Sequence, residues 1–243
     1  MTNIAIVNSE AHKTLRVQAG PSARYGDAQR YVAVVVSEFP LLAVHYPILF
    51  SKDSDTGAFY CGTMLGFDAG ENLFLEEGKA PETYRPLNLQ RGPFYTAGSD
   101  LAIDLDNPRV EAAGNGQALF NEAGQPTPYL DSIIAVIREL QRGNEQTKIF
   151  IETLMKLKLI VAVNIGVSFD DGTKRDLTGL YTIDQEALRS VPDAAALDLF
   201  RRGYLYLIYL MIASLKQMPL LVTRKNRRIL QGTEGLGGGL GAT

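Results

Sequence analysis

The sequence predicts an α+β protein: a mainly β N-terminal half packed with a helical C-terminal half, with one β-hairpin inserted near 159–183. Three observations lead there. Short β-branched and aromatic runs bounded by glycine, proline and aspartate fill the first half, such as RYVAVVV at 30–36 and AFYCGTMLGF at 58–67. From residue 130 the apolar spacing becomes Leu130, Ile133, Ile134, Ile137 and Leu140, the stripe of an amphipathic helix. LIVAVNIGVSF at 159–169 then returns to β composition ahead of the turn pair Asp171-Gly172 and the return strand TGLYTI at 178–183.

In chain order, residues 2–8 and 30–36 suit short strands. Ser37 is placed to cap a short helix reaching Tyr46, with Glu38 in its first turn and Pro40 near its start; Pro47 ends it. Strands are expected at 48–50, 58–67 and 72–76, the last running into a Glu77-Gly78 turn, and again at 101–106. Residues 114–128 read as a loop anchored by Leu119-Phe120. Gly143-Asn144 is expected to break the first long helix, with Phe150, Ile151, Leu154 and Leu157 supplying the second stripe of an αα-hairpin. Asp184 can cap a further helix, and Pro192-Asp193 opens the next.

YLYLIYLMIASL at 204–215 is the most hydrophobic run. It falls short of the roughly 20 residues that cross a bilayer, and Lys216, Gln217 and Pro219 follow at once. A helix apolar all round is expected to be a buried core helix, not integral to a membrane. The domain expectation is one unit over 1–230, β-rich over 1–128 and helix-rich over 129–230, followed by a flexible glycine-rich tail at 231–243.

Composition narrows the function classes. With 46% hydrophobic and 21% charged residues in 243, the chain can bury a sizeable core and is not of disordered type. A net charge of −3 offers no global case for nucleic acid. One cysteine cannot form an internal disulfide. The first residues, MTNIAIVNSEAHKTL, lack the basic and apolar regions of a secretory signal, so cytoplasmic is the default; leaderless export would need no such signal.

No catalytic signature emerges. Gly-x-Ser-x-Gly, Cys-x-x-Cys and His-x-x-x-His are missing, Cys61 lies in an apolar strand, and the glycines at 235–241 follow no strand, so no catalytic residue, metal or cofactor is assigned. Asp104 and Asp106 share one strand face and read either as a hard-cation site or as a solvated strand end. His45, before Tyr46-Pro47, reads either as a substrate contact or as a helix-end histidine. Arg85 and Arg91 sit with Tyr84 among Pro86, Pro93, Phe94 and Tyr95, a setting that suits a carboxylate, phosphate or peptide, or else pairing with Glu71 or Glu77. The basic run Arg224, Lys225, Arg227 and Arg228 reads as a solvated helix end, or as a contact for an acidic partner or anionic lipid.

A set of motifs is similar to the bacterial SapC-like family: Glu38, Tyr46-Pro47-Ile48, Glu71-Asn72-Leu73-Phe74, Tyr84 with Pro86, and Arg91-Gly92-Pro93-Phe94. The pattern continues through Leu119-Phe120-Asn121-Glu122, Gly179-Leu180-Tyr181 with Asp184, and the late apolar helix; Gly92 and the tail depart from it. The resemblance implies no set chemistry. It implies a context of bacterial surface layers by name, and of genes for outer-membrane nutrient receptors and flavin-dependent halogenase-like proteins. The leading expectation is therefore a non-enzymatic binding or accessory protein serving envelope or nutrient-uptake systems, taking a protein or peptide partner or a small acidic ligand through Glu38, His45, Tyr46, Tyr84, Arg85 and Arg91. The alternatives are an enzyme or enzyme partner at the Tyr84–Tyr95 loop, and a structural surface-layer subunit. Scarce and poorly spaced ligands predict that elemental analysis of protein purified without chelator finds no stoichiometric zinc, iron or copper; one equivalent per chain would refute this.

Overall fold

The longest strands flank the Asp171-Gly172 turn, where Gly172 takes φ +81° and the Asp171 carboxylate accepts the Thr173 N–H. The computed structural model describes residues 3–76, 82–112 and 114–237. The elements in order are β1 (Ile4–Ile6), β2 (Arg16–Val17), β3 (Tyr31–Ala33), α1 (Phe39–Leu42), β4 (Ile48–Lys52), β5 (Phe59–Met64), α2 (Leu87–Gln90), β6 (Phe94–Ala97), β7 (Asp100–Asp104), β8 (Val110–Glu111) and β9 (Gln117–Ala118). There follow α3 (Pro128–Lys156), β10 (Ile160–Ser168), β11 (Lys174–Ile183), α4 (Gln185–Arg189), α5 (Asp193–Arg201), α6 (Tyr204–Ser214) and α7 (Met218–Gly237). With 38% helix and 24% strand, the sheets mainly N-terminal and the helices mainly C-terminal, the fold is α+β as expected.

Contacts group the chain into two compact units, Met1–Ala28 with Phe74–Glu145, and Gln29–Leu73 with Gln146–Thr243. The division does not follow the 128/129 boundary between β-rich and helix-rich sequence, since each unit draws on both. The first unit holds two three-stranded sheets, β1-β7-β6 and β8-β2-β9. Its core joins Val17, Phe94, Ile103 and Leu119 to Leu130, Ile133 and Ile137, the stripe that α3 presents.

The second unit is built on an antiparallel sheet of order β10-β11-β4-β5-β3. Register places Ile48 and Phe50 beside Cys61 and Thr63 on one face, and all four are at most 1% exposed. Helix α6 packs against β4 and β11, and its Ser214 Oγ accepts the Ile48 N–H at 2.9 Å. The other face carries Tyr31, Ser51, Tyr60, Gly62, Met64 and Leu180.

Several local expectations are corrected. Helix α3 is one element of 29 residues, not an αα-hairpin. Gly143 and Thr147 lie on the buried stripe between Leu140 and Phe150, so the apolar phase carries through the glycine and outweighs a cost of about 1 kcal/mol. Ser37 is not the cap; Glu38, 1% exposed, accepts the Val35 N–H at 2.9 Å and closes a 3-10 turn before α1. Residues 72–76 form no strand, because the Leu73 N–H is drawn back to the Leu65 carbonyl at 2.7 Å. Asp184 caps α4 as expected, accepting from Glu186 and Ala187. Helix α6 is buried on only one face: Ile208, Met211 and Ser214 are covered, while Tyr206 and Tyr209 are 57% and 58% exposed. A 3-10 turn at Leu215–Gln217 carries the chain on into α7, whose backbone is helical to Gly237, past residue 231, the expected start of the tail. Residues 238–243 and the Glu77-Gly78 turn lie outside the described residues.

Gly62 tests the packing of the open sheet face. A Cβ there would lie 2.2 Å from the Tyr31 ring, whose hydroxyl donates to the Leu49 carbonyl at 2.8 Å. Gly62→Ala is expected to cost about 1–3 kcal/mol in urea denaturation by displacing that ring. Gly20→Ala, whose Cβ meets nothing within 4 Å, should be close to neutral; equal effects would contradict the close approach.

Candidate functional site

A concavity grows from an irregularity in β11. Between the pairs Val163↔Leu180 and Ile165↔Leu177, two β11 residues, Thr178 and Gly179, stand opposite the single Asn164. Gly179 has φ +74°, the left-handed geometry that lets a strand bulge and bend. Only Leu180 and Tyr181 pair with β4, so Lys174–Leu177, still paired with Ile165–Ser168 of β10, run past β4 as the outer part of a two-stranded arm. The Ser51 hydroxyl donates to the Gly179 carbonyl at 3.2 Å and marks one end of the arm.

Ion pairs hold the other end. Arg175 Nε meets Asp68 Oδ1 at 2.7 Å, and Lys225 Nζ meets Asp68 Oδ2 at 2.7 Å and Glu71 Oε1 at 2.6 Å. Glu71 Oε2 also accepts the Phe67 N–H at 2.8 Å, which fixes the loop. Phe67 and Phe169 meet edge to face at 5.1 Å, and the Asp170 N–H donates to the Asn226 side-chain oxygen Oδ1. Hydrogen bonds from Lys225 and then Arg175 hold the Asp68 carboxyl below its usual value. Burial works against the Lys225 cation, but Asp68 and Glu71 more than offset it and raise its pKa. Lys225 therefore clasps the Asp68–Glu71 loop, whose Asp68 also takes Arg175 from the arm, correcting its reading as part of a solvated helix end; its side chain is only 15% exposed.

Between arm and sheet lies a half-open cleft of about 400 Å³. Its floor is Tyr31, Tyr60 and Met64; its arm side is Asp176, Leu177 and Thr178; Gln29, Arg30 and Phe67 close one end. Tyr31 and Tyr60 pack edge to face at 6.0 Å. Burial pushes the Tyr31 hydroxyl well above the ordinary tyrosine value, so it stays a proton donor. Arg30 reaches only the Phe67 carbonyl, at 3.5 Å, and Asp176 has no ion-pair partner among the described residues.

The six residues singled out from sequence are not gathered at this cleft. Glu38, His45 and Tyr46 belong to the second unit and Tyr84, Arg85 and Arg91 to the first. Tyr46 is 2% exposed, with the His45 ring edge to face at 5.8 Å. Arg85 pairs with Asp27 at 2.8 Å rather than with Glu71. Arg91 donates to Asn88 and to the Phe94 carbonyl, and lies 4.2 Å over the Tyr95 ring.

Sequence reasoning missed Asp27, which is 3% exposed and takes Arg109 at 2.6 Å as well as Arg85. Arg109 also donates to the Gln18 and Gly20 carbonyls and lies 5.0 Å over the Tyr25 ring. Burial pushes nearby Tyr129 up to about 12. Gly26 before Asp27 and Pro108 before Arg109 mimic solvated turns, so composition gave no signal for this buried pair.

Other candidates resolve into local structure. The Asp104 carboxylate accepts the Asp106 N–H at 3.1 Å, a turn at a strand end. Cys61 is buried and its thiol is pushed far up by desolvation. Among the described residues, no group of three or more His, Cys, Asp or Glu could hold a metal.

An α+β chain with a strand arm clasped over an open sheet face defines a protein with a preformed cleft. The model of the family described as SapC matches residues 7–221, and the chain belongs to that family. No curated protein and no solved structure matches it.

The clasp predicts a pH dependence. A carboxyl whose pKa is lowered by folding contributes stability above its unfolded value, near 3.8 for Asp68, and loses it as pH falls through the lower folded value. Asp68→Asn should cost about 1 kcal/mol at neutral pH and flatten the acid limb of a plot of Tm against pH. Identical acid limbs in the two proteins would count against the clasp.

Proposed function

We propose that this SapC-family chain is a non-enzymatic binding protein whose ligand is a small zwitterion or short peptide held in the cleft beneath the β11 arm. The observation that carries the reading is the combination of opposite charges with aromatic walls in one concavity. Arg30 and Asp176 line a space of about 400 Å³ together with Tyr31, Tyr60 and Leu177. That volume lies in the range of about 300–1,000 Å³ typical of small-molecule sites. A guanidinium and a carboxylate would orient the two ends of a zwitterion, and the tyrosine rings would cover its apolar middle.

Binding rather than turnover is favoured by what the lining lacks. Among the described residues it includes no histidine and no cysteine, and the hydroxyls of Tyr31 and Ser51 already donate to main-chain carbonyls. The Tyr84–Tyr95 loop is the weaker alternative, because Arg85 is engaged by Asp27 and Arg91 by Asn88 and Phe94.

Calorimetric titration with free amino acids, dipeptides and tripeptides tests the reading. At least one should bind, with Arg30→Ala and Asp176→Ala each weakening it about tenfold, or ~1.4 kcal/mol. Binding that ignores both substitutions and is lost in Arg91→Ala would move the site to the other loop. A panel with no binder would remove this ligand class.

A further inference from the structure

We infer that the exposed face of the helical run Tyr204–Gln231 docks on an anionic lipid surface, lying along it rather than crossing it. The run spans 28 residues and contains an 18-residue window apolar enough to cross a bilayer by length and composition, yet only 28% of that window is buried. A core helix would hide such a window. Here the inner face alone is covered: Ile208, Met211 and Leu221 are at most 1% exposed. That face is also tied by hydrogen bonds, with Ser214 Oγ accepting from the Ile48 N–H and Gln217 Nε2 donating to the Ala43 carbonyl. Crossing a bilayer would strip those bonds, so the run is fixed to its own sheet and can offer only its outer face.

The outer face has the composition of an interfacial helix. Tyr206, Tyr209 and Leu220 are 57%, 58% and 59% exposed, and at 100° per residue they share one stripe with Lys216 and Arg227. Tyrosine places an apolar ring and a polar tip at the depth of lipid headgroups, and lysine and arginine stems reach outward from the same depth. On α5, which packs against α6, Phe200 is also exposed, at 69%.

Charge selects the occupant. The charged residues of the run are Lys216, Arg224, Lys225, Arg227 and Arg228, with no aspartate or glutamate, although the whole chain carries −3. Lys225 is engaged by Asp68 and Glu71, so the case rests on the exposed Lys216 and Arg227. A second copy meeting this stripe about a two-fold axis would set cation against cation. An anionic bilayer offers both the opposite charge and the apolar layer beneath it. The surface is separate from the cleft, and its test does not depend on the cleft's ligand.

The experiment is co-sedimentation of the full chain with vesicles of phosphatidylcholine alone or with 30% phosphatidylglycerol, at low and high salt. At low salt the protein should bind the phosphatidylglycerol vesicles at least tenfold more strongly, and high salt should weaken that binding. Lys216→Glu with Arg227→Glu should abolish the preference, and Tyr206→Ser with Tyr209→Ser should weaken binding at least fivefold. Circular dichroism checks each variant; should one pair unfold, the other decides. No binding to phosphatidylglycerol vesicles, or equal binding to both compositions, would overturn the proposal. So would a wild-type dimer that the tyrosine substitutions dissociate, since a second copy would then cover the face.

Discussion

The carboxylate of Asp68 takes two cations from distant parts of the chain, Arg175 from the β11 arm and Lys225 from α7. The shape of the second unit's open face depends on that meeting. Without it, the tip of the hairpin arm bent at the Gly179 bulge would keep, among the described residues, Phe169 on Phe67 and the Asp170–Asn226 hydrogen bond as its ties to the loop and to α7. Exposed ion pairs contribute little singly, but Lys225 and Glu71 are 15% and 12% exposed at the side chain, so this cluster is partly shielded from solvent. The bulge supplies the bend, the clasp fixes its end point, and the cleft is the space left between.

Much of the family pattern serves architecture of this kind. Glu38 closes the turn before α1, and the Pro47 carbonyl accepts from both Thr63 and Met64 where β4 begins. Glu71 staples the Phe67 loop, Gly179 makes the bulge, and Asp184 caps α4. These motif residues hold elements in place around a surface that one motif residue, Leu180, helps to line, while its charged residues Arg30 and Asp176 lie outside the motifs.

Fold class was legible because periodicity reports burial: the Leu130–Leu140 stripe and the β10–β11 hairpin around Asp171-Gly172 both stand where their patterns put them. The failures came where tertiary contacts outweigh a local signal. Gly143 reads as a breaker but sits on a buried stripe that continues to Leu154, and Ser37 reads as a cap but yields to the Glu38 carboxylate. The cleft was illegible because its walls come from residues 29–31, 51–67 and 176–180, and only pairing register brings them to one face. Asp27 and Arg109 are 82 residues apart, beyond the reach of local pattern.

The second unit thus presents two chemically different surfaces, a polar-aromatic cleft on one sheet face and a cationic, tyrosine-bearing helix surface on α6 and α7. Lys225 belongs to the same helix that carries the cationic stripe, so the clasp links the helix to the arm over the cleft. The most direct measurement of this account is amide hydrogen exchange on wild type and Lys225→Met. The account predicts faster exchange over 168–178 in the variant, with β4 and β5 keeping their protection. Unchanged exchange in the arm, or loss of protection across the whole sheet, would contradict it.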